Sequence, residues 1–148
     1  MILIDFTQTI IAGLMVQLKL NGGELNEGKL RPMILNSIRN YQKKYAPEYG
    51  QIVLCTDAGN PWRRDYYPQY KANRKKARDA DDKDWGTIFD TLQVIKDELR
   101  DNFPYRYMYV EKCEADDIIA VLVKHAKEPV LIVSGDKDFQ QLHAYDDV

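Results

Sequence analysis

An α/β fold, with a mostly parallel central sheet and helices on both faces, is what this 148-residue sequence predicts. Three observations predict it. Short apolar runs rich in β-branched and aromatic residues alternate with longer segments of helical spacing. Each such run leads into acidic residues. Residues 59–84 stand apart: they are rich in Arg, Lys, Tyr and Asp and poor in aliphatic residues, so they form an excursion from the core.

The elements follow in order. Ile2–Phe6 reads as the first strand, and Asn21-Gly22-Gly23-Glu24 as a turn. Leu30, Ile34, Ile38, Tyr41 and Tyr45 recur at helical spacing, with Pro47 and Gly50 closing that helix. Ile52–Cys55 is the second strand. The excursion follows it, helical in part. Ile88, Leu92, Ile95 and Leu99 mark another helix, closed by Asn102 and Pro104. Tyr105–Val110 is the third strand, Ile118, Leu122 and Val123 lie on the last helix, and Val130–Val133 is the fourth strand. Strands joined through helices pair in parallel. With no internal repeat and no low-complexity linker, residues 1–148 read as one domain.

The composition is that of an ordinary soluble globular protein. A net charge of −2 argues weakly against nucleic acid on average, although the local distribution reverses that reading. Cys55 and Cys113 form no CxxC pair and read as buried reduced thiols. With His125 and His143 they are too scattered for a zinc site, so any metal is a hard ion held by oxygen. Met1-Ile-Leu-Ile-Asp5 lacks the basic start of a signal peptide, and no run approaches the ~20 apolar residues of a membrane span. A cytoplasmic protein is expected.

In an open α/β sheet the carboxyl ends of the strands present the active site. Asp5 ends the first strand and Asp57 follows the second. Glu114, Asp116 and Asp117 follow the third, and Asp136 and Asp138 the fourth. Each has a plainer reading. Asp116 and Asp117 suit the first turn of a helix, and Asp57 and Asp136 suit turns. Asp5 resists one, because a carboxylate among Ile2, Leu3, Ile4 and Phe6 is costly unless paired or metal-bound. Seven acids on one rim would repel one another, and a divalent cation removes that penalty. Two Mg²⁺ ions ~4 Å apart would suit hydrolysis at phosphorus. No Ser–His or Cys–His arrangement, P-loop or GxGxxG competes.

The excursion carries Arg63, Arg64, Lys71, Arg74, Lys75, Lys76 and Arg78, interleaved with Trp62, Tyr66, Tyr67 and Tyr70. Lys and Arg neutralise phosphates and aromatic faces stack on unpaired bases. The alternative is a solvated helix face with a few packed tyrosines. Because the segment starts just after Asp57, it is expected to rise beside the acidic rim as a positive guide for a polyanion.

At this point the chain resembles the flap endonuclease/5′-to-3′ exonuclease family, and within it the ribonuclease H branch of T-even phages. The residues that carry the resemblance are Glu114-Ala-Asp-Asp-Ile-Ile-Ala-Val-Leu-Val-Lys124 and Ser134-Gly-Asp-Lys-Asp-Phe-Gln-Gln-Leu-His143. Leu3–Phe6, Val53–Asp57, Trp62–Asp65 and Tyr70–Arg74 support them. The resemblance implies a PIN-like 5′-nuclease domain with two Mg²⁺ sites, in which Mn²⁺ can substitute. It implies that Asp5, Asp57, Asp116 and Asp136 serve the first ion, with Glu114, Asp117 and Asp138 at or near the second. It implies that Tyr70, Lys71 and Arg74 belong to a basic arch that orders the scissile phosphate, so Lys71 and Arg74 count with the first-ion acids as catalytic. Arg63, Arg64, Lys75, Lys76 and Arg78 complete the nucleic-acid-binding set. The implied substrates are a 5′ flap, a nicked duplex or an RNA primer on DNA, and the setting is primer removal in DNA replication. DNA, RNA–DNA hybrid and replication proteins such as a single-strand-binding protein are the implied partners.

Family members run on past a segment like Gln141–Tyr145 into a helix–hairpin–helix-like module that grips duplex DNA and completes the second metal site. The sequence ends at Val148, so that module is expected to be absent or supplied as a separate fragment, and cleavage weakened. Three other readings compete: a small PIN ribonuclease cutting single-stranded RNA, a fragment that binds branched DNA or a replication partner without cutting, and a phosphatase or receiver domain with a nucleophilic aspartate.

Overall fold

The computed structural model describes all residues, Met1–Val148. Four strands form the sheet: β1 (Ile2–Asp5), β2 (Ile52–Thr56), β3 (Arg106–Tyr109) and β4 (Leu131–Val133). Their order is β3-β2-β1-β4, and every pair is parallel. β1 is therefore interior, with Asp5 opposite Cys55 at its carboxyl end.

The helices are α1 (Phe6–Leu20), α2 (Glu27–Tyr49), α3 (Arg63–Tyr66), α4 (Ala72–Asp79), α5 (Trp85–Asn102) and α6 (Ala115–His125), followed by a 3₁₀ helix at Lys137–Ala144. Strand side chains alternate between faces, and the two cores follow that alternation. Ile2, Ile4, Ile52 and Leu54 pack with Ile10 and Leu14 of α1, Ile34 and Ile38 of α2, and Leu92 and Ile95 of α5. Leu3, Val53 and Cys55 pack on the other face with Ile118, Ile119 and Val123 of α6. Helices thus cover both faces, as expected. No helix is long and apolar enough to cross a membrane.

Four details differ from the sequence reading. Phe6 leaves the strand and starts α1, because Asp5 accepts the Gln8 N–H and caps the helix there. The helix α1 itself had no assignment in the sequence. α2 runs through Pro47, whose missing N–H costs one bond in the last turn. It stops at Gly50, whose φ of 79° is cheap only for glycine. Cys55 is buried, which pushes its thiol up to about 12, whereas Cys113 is only half-buried. The excursion, by contrast, is helical in part as expected, through the short helices α3 and α4, neither with a buried residue.

Candidate active site

The carboxyl edge of the sheet is built by side chains that fix one another. Asp5 caps α1 through Oδ1, and its Oδ2 accepts the Ser134 hydroxyl at 3.1 Å. Thr7 Oγ1 accepts the Asp57 N–H at 3.0 Å, and Asp57 Oδ1 accepts the Ala115 N–H at 2.6 Å. Asp57 is thereby tied to the start of α6. Gln8 Oε1 accepts the Gly135 N–H at 2.7 Å. A Cβ on Gly135 would lie 2.7 Å from Gln8 Nε2, so a larger residue there would make the Gln8 amide shift from its present position. Asp136 then caps the 3₁₀ helix by accepting the Asp138 N–H at 3.0 Å.

Asp5, Asp57, Glu114, Asp116 and Asp136 line one open cleft of 640 Å³, with Lys71, Arg74 and Lys137 on its wall. The charges are not balanced there. Burial raises the Asp5 carboxyl above its ordinary value, and the charges of Asp57 and Asp116 add to it against the Gln8 and Ser134 hydrogen bonds. Asp116 is raised in the same way by burial, with Asp117 and Glu114 adding and Arg63 opposing.

A second group of acids is already neutralised. The Glu114 side chain is 7% exposed and accepts from Arg63 at 3.0 Å, Tyr70 Oη at 2.9 Å and Lys71 Nζ at 2.5 Å. Asp117 accepts two Arg63 hydrogen bonds, both at 2.8 Å, with Trp62 Nε1 at 3.1 Å and the Glu114 N–H at 3.0 Å. Burial would raise Asp117, but these bonds together hold it below the ordinary carboxylate value. Burial would likewise lower Lys71, yet its bonds to Glu114 and Tyr70 leave it raised. Arg63 is raised by its Asp117 bond. Lys71 takes a left-handed φ of 56° just before α4, a costly backbone that the Glu114 contact accompanies.

The seven acids therefore occupy two adjoining clefts rather than one rim. Asp138 lines the smaller, of 320 Å³, with Arg63, Asp117 and the shared Asp116 and Asp136. Of the basic residues, Arg63 and Lys71 point inward onto acids. Arg64, Arg74, Lys75 and Lys76 are exposed, and Arg78 sits over the Phe89 ring at 5.4 Å. Tyr70 is half-buried, while Tyr66 and Tyr67 are exposed. Sequence reasoning gave no role to Thr7, Gln8 or Lys137, or to Ser134 beyond its place in the motif. The signal for Thr7 and Gln8 was their place directly after a strand-ending aspartate.

The donor set is all oxygen, which suits a hard divalent ion. Oxygens of Glu114, Asp116 and Asp117 all lie within 4.8 Å of one another. All three already face Arg63, Glu114 and Asp117 through hydrogen bonds at 2.8–3.0 Å and Asp116 only at 3.9 Å. The least compensated group is Asp5, Asp57 and Asp136 with Asp116, whose Arg63 contact is long, and an added cation would offset the burial and the repulsion that together raise Asp5.

Comparisons with known proteins agree with this architecture. Residues 18–148 match the family described as 5′-3′ exonuclease, N-terminal resolvase-like domain. Ribonuclease H of Enterobacteria phage T4 is 41% identical over 152 aligned residues, covering 99% of this chain and 50% of that protein. A 5′-3′ exonuclease of Streptomyces coelicolor is 35% identical over 114 residues, covering 74% of this chain and 37% of that protein. The chain thus spans half or less of the length of these relatives. The T5 D15 protein co-crystallised with metal ions shares the fold at a TM-score of 0.70 and 20% identity, covering 95% of this chain and 50% of that one. A bacteriophage T5 D15 flap endonuclease complex with DNA and metal ions gives a TM-score of 0.68 at 19% identity, covering 93% and 49%.

Proposed function

Because this chain belongs to the 5′-3′ exonuclease family through its N-terminal resolvase-like domain, we propose that it is the catalytic domain of a Mg²⁺-dependent 5′-nuclease. Its proposed substrates are 5′ flaps, nicked duplexes and RNA primers on DNA, and its proposed setting is DNA replication in the cytoplasm. The observation that carries this reading is the cleft with five carboxylates on its floor and Lys71 and Arg74 on its wall.

In this reading Asp5, Asp57, Asp116 and Asp136 hold the first ion, and Glu114, Asp117 and Asp138 stand near the second. Bound Mg²⁺ supplies Lewis acidity toward water and the scissile phosphate. The chain's own residues do the rest. Thr7, Gln8 and Ser134 hold Asp57, Asp136 and Asp5 in place. Arg74 meets the phosphate from solvent. Lys71 exchanges Glu114 for phosphate as substrate enters, and Tyr70 moves with it. Arg64, Lys75 and Lys76 neutralise backbone phosphates further along the strand. Arg63 is reassigned to an inward role: it neutralises Asp117 and Glu114 and anchors the base of the excursion. Residues 59–84 are the arch of a single domain spanning 1–148.

The test is cleavage of a labelled 5′-flap DNA, a nicked duplex, an RNA primer on DNA and a single-stranded RNA. Each is incubated with Mg²⁺, with Mn²⁺ and with EDTA. Metal-dependent release of products from the 5′ end of branched substrates is expected. Cutting confined to single-stranded RNA would assign a small PIN ribonuclease instead, and binding without cutting in either metal would refute the catalytic reading.

A further inference from the structure

Asp57 has two sides. One faces the acidic cleft, and the other forms the wall of a separate cleft of 460 Å³ between α5 and the ends of β2 and β3. Lys96, Tyr107 and Tyr109 line this second cleft with Gln93, Gly59 and Arg100. Apart from Gly59, where the arch begins, none of these residues is used by the catalytic reading.

Lys96 is the unusual member. It is half-buried, and the charges that act on it are Asp57 and Asp97, neither hydrogen-bonded to it. Arg100 is already committed to Asp97 at 3.0 Å and Asp101 at 2.8 Å. Lys96 is thus a partly desolvated cation without an ion-pair partner, which costs stability that a bound anion would return. On the same cleft Tyr109 is 56% exposed, a large aromatic surface left bare. A cation and an open aromatic ring lining one cleft are the pairing that takes one nucleotide of an unpaired strand: charge on the phosphate, ring on the base.

We propose that this cleft binds one nucleotide of single-stranded DNA, its phosphate on Lys96 and its base on Tyr109, as the strand passes Asp57 away from the arch. The inference rests on the nuclease reading for the direction of the strand, and on the cleft itself for its chemistry. Two features favour a strand over a free anion. The cleft shares Asp57 with the catalytic one, so the two are neighbours, and its aromatic rim would be unused by a bare phosphate.

The experiment needs no cleavage. The whole protein, in EDTA, is titrated with 5′-phosphorylated hexathymidylate while the amide signals of Gly59 and the Gln93 side chain are followed by NMR. Parallel titrations use inorganic phosphate and thymidine. Both signals should move with hexathymidylate, and phosphate alone should bind far more weakly. Lys96→Gln should weaken the hexathymidylate affinity about fivefold and flatten its salt slope by about 0.7. Tyr109→Ala should weaken it about fivefold with the slope unchanged. Signals that stay still at saturation, or affinities untouched in both variants, would overturn the proposal. Phosphate binding as tight as hexathymidylate would reduce the cleft to a small-anion site and overturn the strand assignment. A wild type that cuts nothing yet binds through Lys96 would instead defeat only the nuclease reading.

Discussion

Two groups of carboxylates lie side by side at the carboxyl edge of this sheet, and they are in opposite electrostatic states. Glu114 and Asp117 are neutralised from within the chain, by Arg63, Lys71, Tyr70 and Trp62. Asp5 and Asp116 are held above the ordinary carboxylate value by burial and by each other's neighbours. Acid content alone therefore does not define a metal site. What distinguishes the two is whether the fold supplies its own cations. Without metal, the Glu114 corner ties the arch to α6. The Asp5 side holds more acids than cations, five against Lys71, Arg74 and Lys137, and a bound cation would reduce that deficit.

The sharpest way to break this contrast is Asp5→Asn. The amide keeps an oxygen to cap Gln8, so the metal-free fold should be as stable as the wild type or slightly more so, since the repelled charge is gone. As an ion ligand the neutral amide is poor, so cleavage should fall at least about a thousandfold, about 4 kcal/mol of barrier. Thermal melting in EDTA and flap cleavage in Mg²⁺ read the two effects separately. A large loss of melting temperature in EDTA would make Asp5 a structural residue, and retained cleavage would remove it from the site.

Arg63→Ala probes the other side. It strips Asp117 of both 2.8 Å bonds and Glu114 of one, leaving partly buried carboxylates short of cations. Loss of a cation from a partly buried cluster should cost about 2–3 kcal/mol in chemical denaturation. Asp136→Asn, at an exposed carboxylate, should cost far less. Equal costs for the two variants would erase the distinction between structural and uncompensated acids.

Much of this was legible in the sequence, for physical reasons that can be named. β1, β2 and β4 are short, branched and apolar, so their existence and the acids at their ends follow from local pattern. α1 was not legible because Ile10, Ile11, Leu14, Met15, Val16 and Leu18 leave it almost no polar face, and a helix without two faces gives no period. The strand-end acids Asp5, Asp57, Asp116 and Asp136 could be found one by one. The pairing of Arg63 with Asp117 could not, because 54 residues separate them and local spacing says nothing about such contacts. For that reason the sequence offered Arg63 only as a phosphate ligand and Asp117 only as a metal ligand, with no sign that the two contact each other.

Acid titration sharpens the contrast with a smaller effect. Asp5 and Asp116 have folded values above the reference of 3.8, so the native state binds protons more readily than the unfolded state. On lowering the pH from neutral, metal-free protein should gain stability as these two protonate. Asp117 is shifted the other way. Its stabilisation is present above 3.8 and is lost as pH falls through its lower folded value. The metal-free melting temperature should therefore rise above 3.8 and then drop below it. Mg²⁺ at ten times its Kd should stabilise the neutral-pH protein by about 1.4 kcal/mol and abolish the rise. A melting curve that only falls on acidification, with or without Mg²⁺, would mean the Asp5 side carries no charge deficit.

The smallest effect belongs to the outer face of the arch. Arg74 and Lys75 are exposed, and neither forms an ion pair within the protein, unlike Lys71 with its Glu114 contact. Reversing Lys71 would set a carboxylate against Glu114 and confuse binding with folding, so it is the wrong probe. Arg74→Glu with Lys75→Glu avoids that, and the melting temperature should stay where it is. Affinity for flap DNA, measured in Ca²⁺ by anisotropy across a salt series, should fall. Each lost phosphate contact on a duplex flattens the slope of log affinity against log salt by about 0.9, and on a single strand by about 0.7. The pair should therefore change the slope by about 1.4–1.8 if both residues touch phosphate. A weaker affinity with an unchanged slope would place these residues at the edge of the electrostatic field rather than on the strand. An unchanged affinity would make the outer face of α4 a solvated surface, and the polyanion would then have to be guided by Lys137 and the inward-facing cations alone.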